Sequence, residues 1–266
     1  MSILETTANI LKLMVELQGG IRINDVIHHL GMPKSTASRV MSQLESYGYL
    51  EKDDAQGTFL PGPLILSASH LVSRQLTLSD HVDMALRNLC ERTGYTGYIS
   101  MLDSQEILVL RVIHGRQALS VVTWPGSRSP AWGTSTGRAL LARFTDNQLH
   151  DFFASPLVVS QLSGSQQSAS ALVAAVTRTR DAGYASAVNE SIAETASVSC
   201  AVGDPVTGEA VAFCLSFPQA LATAEEIQRI ATLLKETAIT IAQKNGRYTG
   251  HPSALIFTLS MPGELS

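Results

Sequence analysis

Apolar positions recur at helical spacing over residues 3–18, where Leu4, Ala8, Leu11 and Val15 share a stripe flanked by Ile10, Leu13, Met14 and Leu17. Gly19-Gly20 marks the expected end of that helix, because the residue past a C-terminus often needs left-handed backbone. Ile21-Arg22-Ile23 is a short apolar lead-in. Asn24 is the predicted cap of a second helix, with Asp25 in the first turn where the macrodipole favours negative charge. Gly31 supplies a tight turn, and Pro33 suits the first position of a third helix. That helix buries Val40, Met41 and Leu44 and turns Ser35, Ser38, Arg39 and Ser42 outward, until Gly48 stops it. Extended runs at 49–52 and 58–61, around Asp54-Ala55-Gln56-Gly57, read as a β-hairpin.

An apolar helix over 64–77 (Leu64, Leu66, Leu71, Val72) joins this part to the remainder. Ser79 is the expected cap of the next helix, whose inner face carries Val82, Leu86, Leu89 and Cys90. Alternating or β-branched runs predict strands at 98–102, 107–113, 119–123, 197–203 and 209–217. Residues 124–136 read as a loop leading to a helix at Gly137, and Thr145 caps a helix over 146–153. The Ser/Gln-rich stretch 155–170 reads as a surface loop. An amphipathic helix over 172–182 ends at Gly183, and Thr223 caps a long helix to about residue 243. Helices around one antiparallel sheet make an α+β body.

A chain of 266 residues has room for two domains, and 45% apolar with 16% charged residues excludes general disorder. The net charge is −4, and residues 1–62 carry five Lys/Arg against seven Asp/Glu, a net of −2. This runs against nucleic-acid binding, since phosphate neutralisation supplies most non-specific affinity. Basic side chains clustered on one face of two cooperating heads would restore it. Cys90, Cys200 and Cys214 have neither zinc-ligand spacing nor the even count of a disulfide framework, so they are predicted buried thiols. No metal or cofactor is expected. The N-terminus lacks a signal-peptide layout and no apolar run reaches the length of a membrane span, which predicts a cytoplasmic protein without membrane contact.

Helix, helix-turn-helix and hairpin in this order form a winged helix-turn-helix. The run GMPKSTASRVMSQLESYGYLEKDD, followed by GTFLPGPLIL, resembles the IclR family of bacterial transcription regulators. One departure is Ile27, where a small residue is usual between the two packed helices. The resemblance implies a recognition helix over 33–46 bound to double-stranded operator DNA. Arg39, able to bind guanine in bidentate fashion, would read bases, and Lys34 would meet phosphate. Ser35 and Thr36 would contact phosphate or base edges, with Ser38 and Ser42 on the same face. His28 and His29 are read as surface residues.

The body resembles the family's GAF-like effector-binding domain through Gly126-Ser127-Arg128-Ser129-Pro130, the stretch 134–139 and Gly183-Tyr184. The likeness spans roughly 3–246. It implies a winged helix-turn-helix over 1–63, a linker helix over 64–78, an effector and oligomerisation domain over 79–246, and a tail over 247–266 without an assigned role. It also implies a homodimer or dimer of dimers that controls a catabolic operon in response to a small organic acid. Trp132, Gly133, Ser135 and Thr136 take pocket roles by the same likeness, as do Asn189, Glu190, Ser197 and Ser199. Leu215 and Phe217 stand at positions often held by serine. With Trp124 and Trp132 nearby, that exchange predicts a pocket favouring an aromatic or longer apolar acid over a two- or three-carbon acid.

Gly133-Thr134-Ser135-Thr136-Gly137 also matches the G-x-S-x-G of serine hydrolases, with Asp204 and His251 following in the usual order. The context argues otherwise. Ser129-Pro130-Ala131-Trp132 is no buried strand, and no βαβ units precede it. A non-enzymatic reading follows. A third reading, a GAF-like sensor acting through protein partners, is separated from a regulator by specific DNA binding.

Overall fold

The computed structural model describes residues 2–75, 77–117, 123–162, 168–204 and 207–244. The chain divides into two compact units, Met1–Thr77 and Leu78–Ser266.

In the first unit, α1 (Ile3–Leu17) starts on a capping box in which Glu5 N–H donates to Ser2 Oγ and Ser2 N–H donates to Glu5 Oε2. The left-handed residue that closes it is Gln18, φ 53°, rather than a glycine. α2 (Ile23–Leu30) begins earlier than Asn24 implied, because Arg22 N–H donates to the Asp25 carboxylate at 2.7 Å and Arg22 becomes the cap. Gly31, φ 63°, makes the turn, and Pro33 lies just outside α3 (Lys34–Ser46) as its cap. β1 (Leu50–Asp53) and β2 (Thr58–Pro61) pair as the expected hairpin, and Ile21 adds a bridge to Phe59. The apolar lead-in thereby ties the helices to the wing.

Ile10, Leu13, Val26, Val40, Met41 and Phe59 form this unit's core. Ile27 is half-buried against it, and the small side chain at full burial is Ala37 on α3. The bulk of Ile27 is therefore taken up at the edge of the core. α4 (Pro63–Gln75) closes the unit.

The second unit opens inside α5 (Thr77–Thr93), at Leu78. Ser79 is not its cap. The Glu209 carboxylate accepts from Leu78 N–H at 3.1 Å and Ser79 N–H at 3.2 Å, an anion at a helix start supplied from across the fold. The six-stranded antiparallel sheet runs in the order β5 (Arg128–Pro130), β4 (Glu106–Ile113), β3 (Thr96–Asp103), β8 (Ala210–Pro218), β7 (Thr195–Gly203), β6 (Ala185–Val188). Sequence patterning misses β5 and β6, which are short. The expected strand at 119–123 lies, except for Thr123, outside the described residues, as does the 247–266 tail.

α5 and α10 (Ala224–Lys244) cover one face of the sheet, where Leu86, Ile230 and Leu234 meet Ile99, Phe213, Leu215 and Phe217. The other face carries α6 (Ser135–Leu141), α7 (Asp146–Ala154), α8 (Pro156–Leu162) and α9 (Ala169–Ala182). α8 occupies part of the stretch expected to be a loop; Val158, fully buried, is its anchor. The 124–136 loop contains β5 and a 3₁₀ turn over Ala131–Gly133, and α6 starts at Ser135 because Thr134 Oγ1 accepts from Gly137 N–H at 3.0 Å.

The two glycines of Gly133-x-Ser135-x-Gly137 are not equivalent. A Cβ on Gly137 would stand 1.9 Å from the Ala131 carbonyl oxygen, whereas one on Gly133 would meet nothing within 4 Å. Gly137→Ala is expected to destabilise by about 1–3 kcal/mol through overpacking. Gly133→Ala should stay within about 0.5 kcal/mol of the parent. Urea unfolding of the two variants, followed by circular dichroism, checks the contrast.

Candidate functional site

Two places gather chemistry. On α3, Lys34, Ser35, Arg39 and Ser42 are exposed, and Thr36 and Ser38 are half-buried beside them. Spacings of three and four residues put Ser35, Ser38, Arg39 and Ser42 on one side of the helix. Neither Lys34 nor Arg39 makes an ion pair among the described residues, so both cations are open to a partner. Lys52 on the hairpin differs: Asp54 holds it at 2.6 Å and raises its pKa through a hydrogen bond and charge attraction. His28 and His29 are exposed.

The second place is a cavity of about 320 Å³ on the face of the sheet that carries α6. β3 and β8 form its floor with Tyr98, Ser100, Cys214 and Ser216, and Ile107 and Val109 of β4 form an apolar side. Ser127 and Ser129 border it near β5. Thr134, Ser135 and Thr136 approach from the start of α6, beside Ser197 on β7. Ser191 and Ile192 close it from the loop between β6 and β7. Hydroxyl-bearing side chains make up most of the lining, and no charged side chain is among them. Burial pushes the Tyr98 phenol and the Cys214 thiol each up to about 12, so both are neutral donors at ordinary pH.

The hydroxyls have a definite wiring. Ser199 Oγ donates to Ser135 Oγ at 2.7 Å, and the Ser135 and Ser197 hydroxyls are also 2.7 Å apart. Three hydroxyl hydrogens thus serve two bonds, and one O–H, on Ser135 or Ser197, is left to donate into the cavity. Ser216 is committed to the Ala196 carbonyl and Ser127 Oγ to the Trp124 N–H.

Of the residues expected around the effector, the cavity therefore brings together Ser135, Thr136 and Ser197, with Ser199 fully buried behind them. The others lie elsewhere. Leu215 and Phe217 point to the opposite face, into the α5/α10 core, because strand side chains alternate; the cavity side of β8 carries Cys214 and Ser216. Trp132 is a core residue packed edge-on against Phe152, and Trp124 is 41% exposed. Gly133 does not line the cavity. Asn189, φ 56°, accepts from Glu194 N–H and shapes its own loop. Glu190 pairs with Arg138 at 2.8 Å in a separate cleft of about 430 Å³. The inference of an aromatic acid from Trp124, Trp132, Leu215 and Phe217 loses its basis with these placements.

Tyr98, Ser100 and Ser216 are the residues that pattern reading missed. Their signal is a polar side chain every second position in otherwise apolar strands. Ser135, the candidate nucleophile, has serines for hydrogen-bond neighbours. Asp204 accepts from Thr207 N–H and does not line the cavity, and His251 lies outside the described residues. No cluster of metal-ligating side chains occurs among the described residues, and none of their helices is long and apolar enough to cross a membrane.

Comparison with known proteins adds identity to this geometry. Residues 4–54 match the IclR helix-turn-helix domain, and residues 70–243 match the bacterial transcriptional regulator IclR C-terminal domain. The HTH-type transcriptional regulator XynR of Escherichia coli is 26% identical over 181 residues, 68% of this chain and 72% of its own. KipR of Bacillus subtilis, also an HTH-type transcriptional regulator, is 22% identical over 226 residues, 85% and 90% of the two chains. An IclR homolog from Microbacterium hydrocarbonoxydans, solved in complex with 4-hydroxybenzoate, superposes with a TM-score of 0.74 at 19% identity, covering 93% of this chain and all of the other. The α+β fold with an N-terminal winged helix-turn-helix, the paired family matches and the cavity agree: this chain belongs to the IclR family and is a ligand-responsive, DNA-binding transcriptional regulator.

Proposed function

We propose that the protein binds operator DNA through α3 and releases or repositions on it when a small organic acid occupies the cavity beneath α6. The observation that carries the first half is the pair of unpartnered cations, Lys34 and Arg39, on the outward edge of α3. Arg39 reads base edges and Lys34 meets phosphate, with Ser35, Thr36, Ser38 and Ser42 beside them. The wiring of Ser135, Ser197 and Ser199 supports the second half, since its spare O–H can donate to a carboxylate. An IclR homolog complexed with 4-hydroxybenzoate shows an aromatic hydroxy acid on the same fold. Here the support for such an acid comes from the hydroxyls and from Ile107, Val109 and Ile192, not from the tryptophans. The effector domain over 79–246 then regulates a catabolic operon rather than catalysing a reaction.

A net charge of −2 on residues 1–62 is too little for one head to hold DNA, so two heads act together on paired half-sites. Exposed Ile3, Leu4 and Val15 of α1 and Leu64 and Leu66 of α4 supply apolar area for a homodimer or dimer of dimers. Occupancy of the cavity shifts the placement of heads only by as much as effector affinity differs between the arrangements. Three free, buried cysteines suit a reducing cytoplasm.

Arg39→Ala is expected to flatten preference among operator variants by about 1–3 kcal/mol, while Lys34→Ala weakens all sequences alike. Fluorescence anisotropy with an operator from the gene's own upstream region, its point variants and random duplex separates the two. Equal losses on every duplex for both variants would refute the division of labour. For the effector, calorimetry with benzoate-type acids and glyoxylate is expected to give heat that Ser135→Ala abolishes without loss of DNA binding. Because burial raises Tyr98 and Cys214 each to about 12 and no other titratable side chain among the described residues lines the cavity, acid binding should be flat from pH 6 to 9 for an acid ionised throughout. A titration step inside that window would place an ionising protein group in the site.

A further inference from the structure

Ser100 is fully buried at 1% exposure and lines the cavity floor, yet its Oγ has no hydrogen-bond partner among the described residues. A buried hydroxyl without a partner is costly and rare, and it calls for a specific explanation. Its neighbours do not share the condition: Ser216 is bonded to a carbonyl, Ser127 accepts an N–H, and Ser135 and Ser197 are bonded to each other. The β3–β4 register slips between Ile99 and Ser100, an irregularity of the kind that re-aims a side chain beside a binding site. Ser100 thus sits at a local break in the ladder, on the same floor as the neutral Tyr98 phenol and Cys214 thiol.

The geometry points to Ser100 as the residue that selects the effector, by pairing with an uncharged hydroxyl on it. This rests on the cavity being the effector site. The chemistry of the lining sets the class of group. A lone serine hydroxyl can both donate and accept, and a ligand hydroxyl answers both functions. Ser100 offers a carboxylate a single hydroxyl for its several lone pairs, whereas Ser135 and Ser197 stand beside the Thr134 and Thr136 hydroxyls, so the carboxylate belongs at that end. The effector is therefore a hydroxy acid whose carboxylate meets the Ser135/Ser197 hydroxyls and whose hydroxyl ends on the floor at Ser100. A molecule lacking that hydroxyl leaves Ser100 unpaired on binding and is rejected for that reason, the asymmetry that lets polar sites discriminate more sharply than apolar ones.

Two matched pairs test this with the full-length protein: 4-hydroxybenzoate against benzoate, and 3-hydroxybutyrate against butyrate, titrated into wild type and Ser100→Ala by calorimetry. The hydroxylated member of at least one pair is expected to bind wild type roughly tenfold or more tightly than its partner. In Ser100→Ala that ratio collapses toward one, while the deoxy acid binds at least as well as before. The ligand-free variant should also melt at the same or a higher temperature, because removing an unpaired buried hydroxyl leaves no partner behind. A ratio near one in wild type, or an unchanged ratio in the variant, overturns the role of Ser100 and leaves the effector site standing. A ligand-free Ser100→Ala that melts several degrees lower also overturns it, since the hydroxyl would then have a partner within the protein. If neither acid of either pair gives heat with wild type, the reading of the cavity as the effector site falls, and the selection role falls with it.

Discussion

The central strands of the body are buried on both faces, and this constraint decides where the protein is solid and where it is hollow. On β8 the large residues Val211, Phe213, Leu215 and Phe217 fill the face under α5 and α10, while Ala212, Cys214 and Ser216 occupy the other. β7 repeats the division, with Val198, Cys200 and Val202 on the first face and Ser197, Ser199 and Ala201 on the second. Large side chains make a dry core on one side. Small ones on the other let α6 approach the sheet and leave a hydroxyl-lined space at its edge. Gly137 extends the same logic, since its missing Cβ lets the α6 backbone lie against the 3₁₀ turn at Ala131.

Most of the architecture was legible because long periodic segments state their own geometry. The helix-turn-helix, the hairpin, the four longest strands and the final helix follow from spacing, capping residues and glycine stops. The cavity was less legible for a physical reason. Val211 to Phe217 is apolar almost throughout, so hydrophobicity does not reveal which residues share a face. Side-chain size does, alternating large and small along the strand. Choosing Leu215 and Phe217 in place of Cys214 and Ser216 is a shift of one residue, and in a strand that transposes the whole set to the other face. Short β5 and β6 were missed because three or four residues carry no measurable period. Their places are fixed by the neighbours they pair with.

The DNA-binding unit poses the opposite problem: its motif is plain and its charge is weak. Lys52 is already matched by Asp54 and cannot add much to a phosphate surface. Lys12, Arg22, Lys34 and Arg39 make no ion pair among the described residues, and of these Lys34 and Arg39 stand on α3. Against a net charge of −2 on residues 1–62, so few cations release few counterions, which is why the proposed reading doubles the surface with a second head. On that proposal, specificity would depend on the spacing between heads as much as on the helix that reads each half-site. That makes spacing the natural variable for an effector to control.

An effector can act on that variable only through a difference in its affinity between the arrangements of the heads. The cavity is the proposed place where that difference arises. Its serine relay is satisfied internally and offers a single spare O–H, so it needs little reorganisation to receive an acid. Ser100 holds a buried hydroxyl with no partner among the described residues, on the floor of the cavity. A ligand hydroxyl that pairs it would gain affinity, and that gain would move the heads only as far as the pairing is better in one arrangement than in the other. A few kcal/mol of this kind is the scale on which allosteric couplings operate.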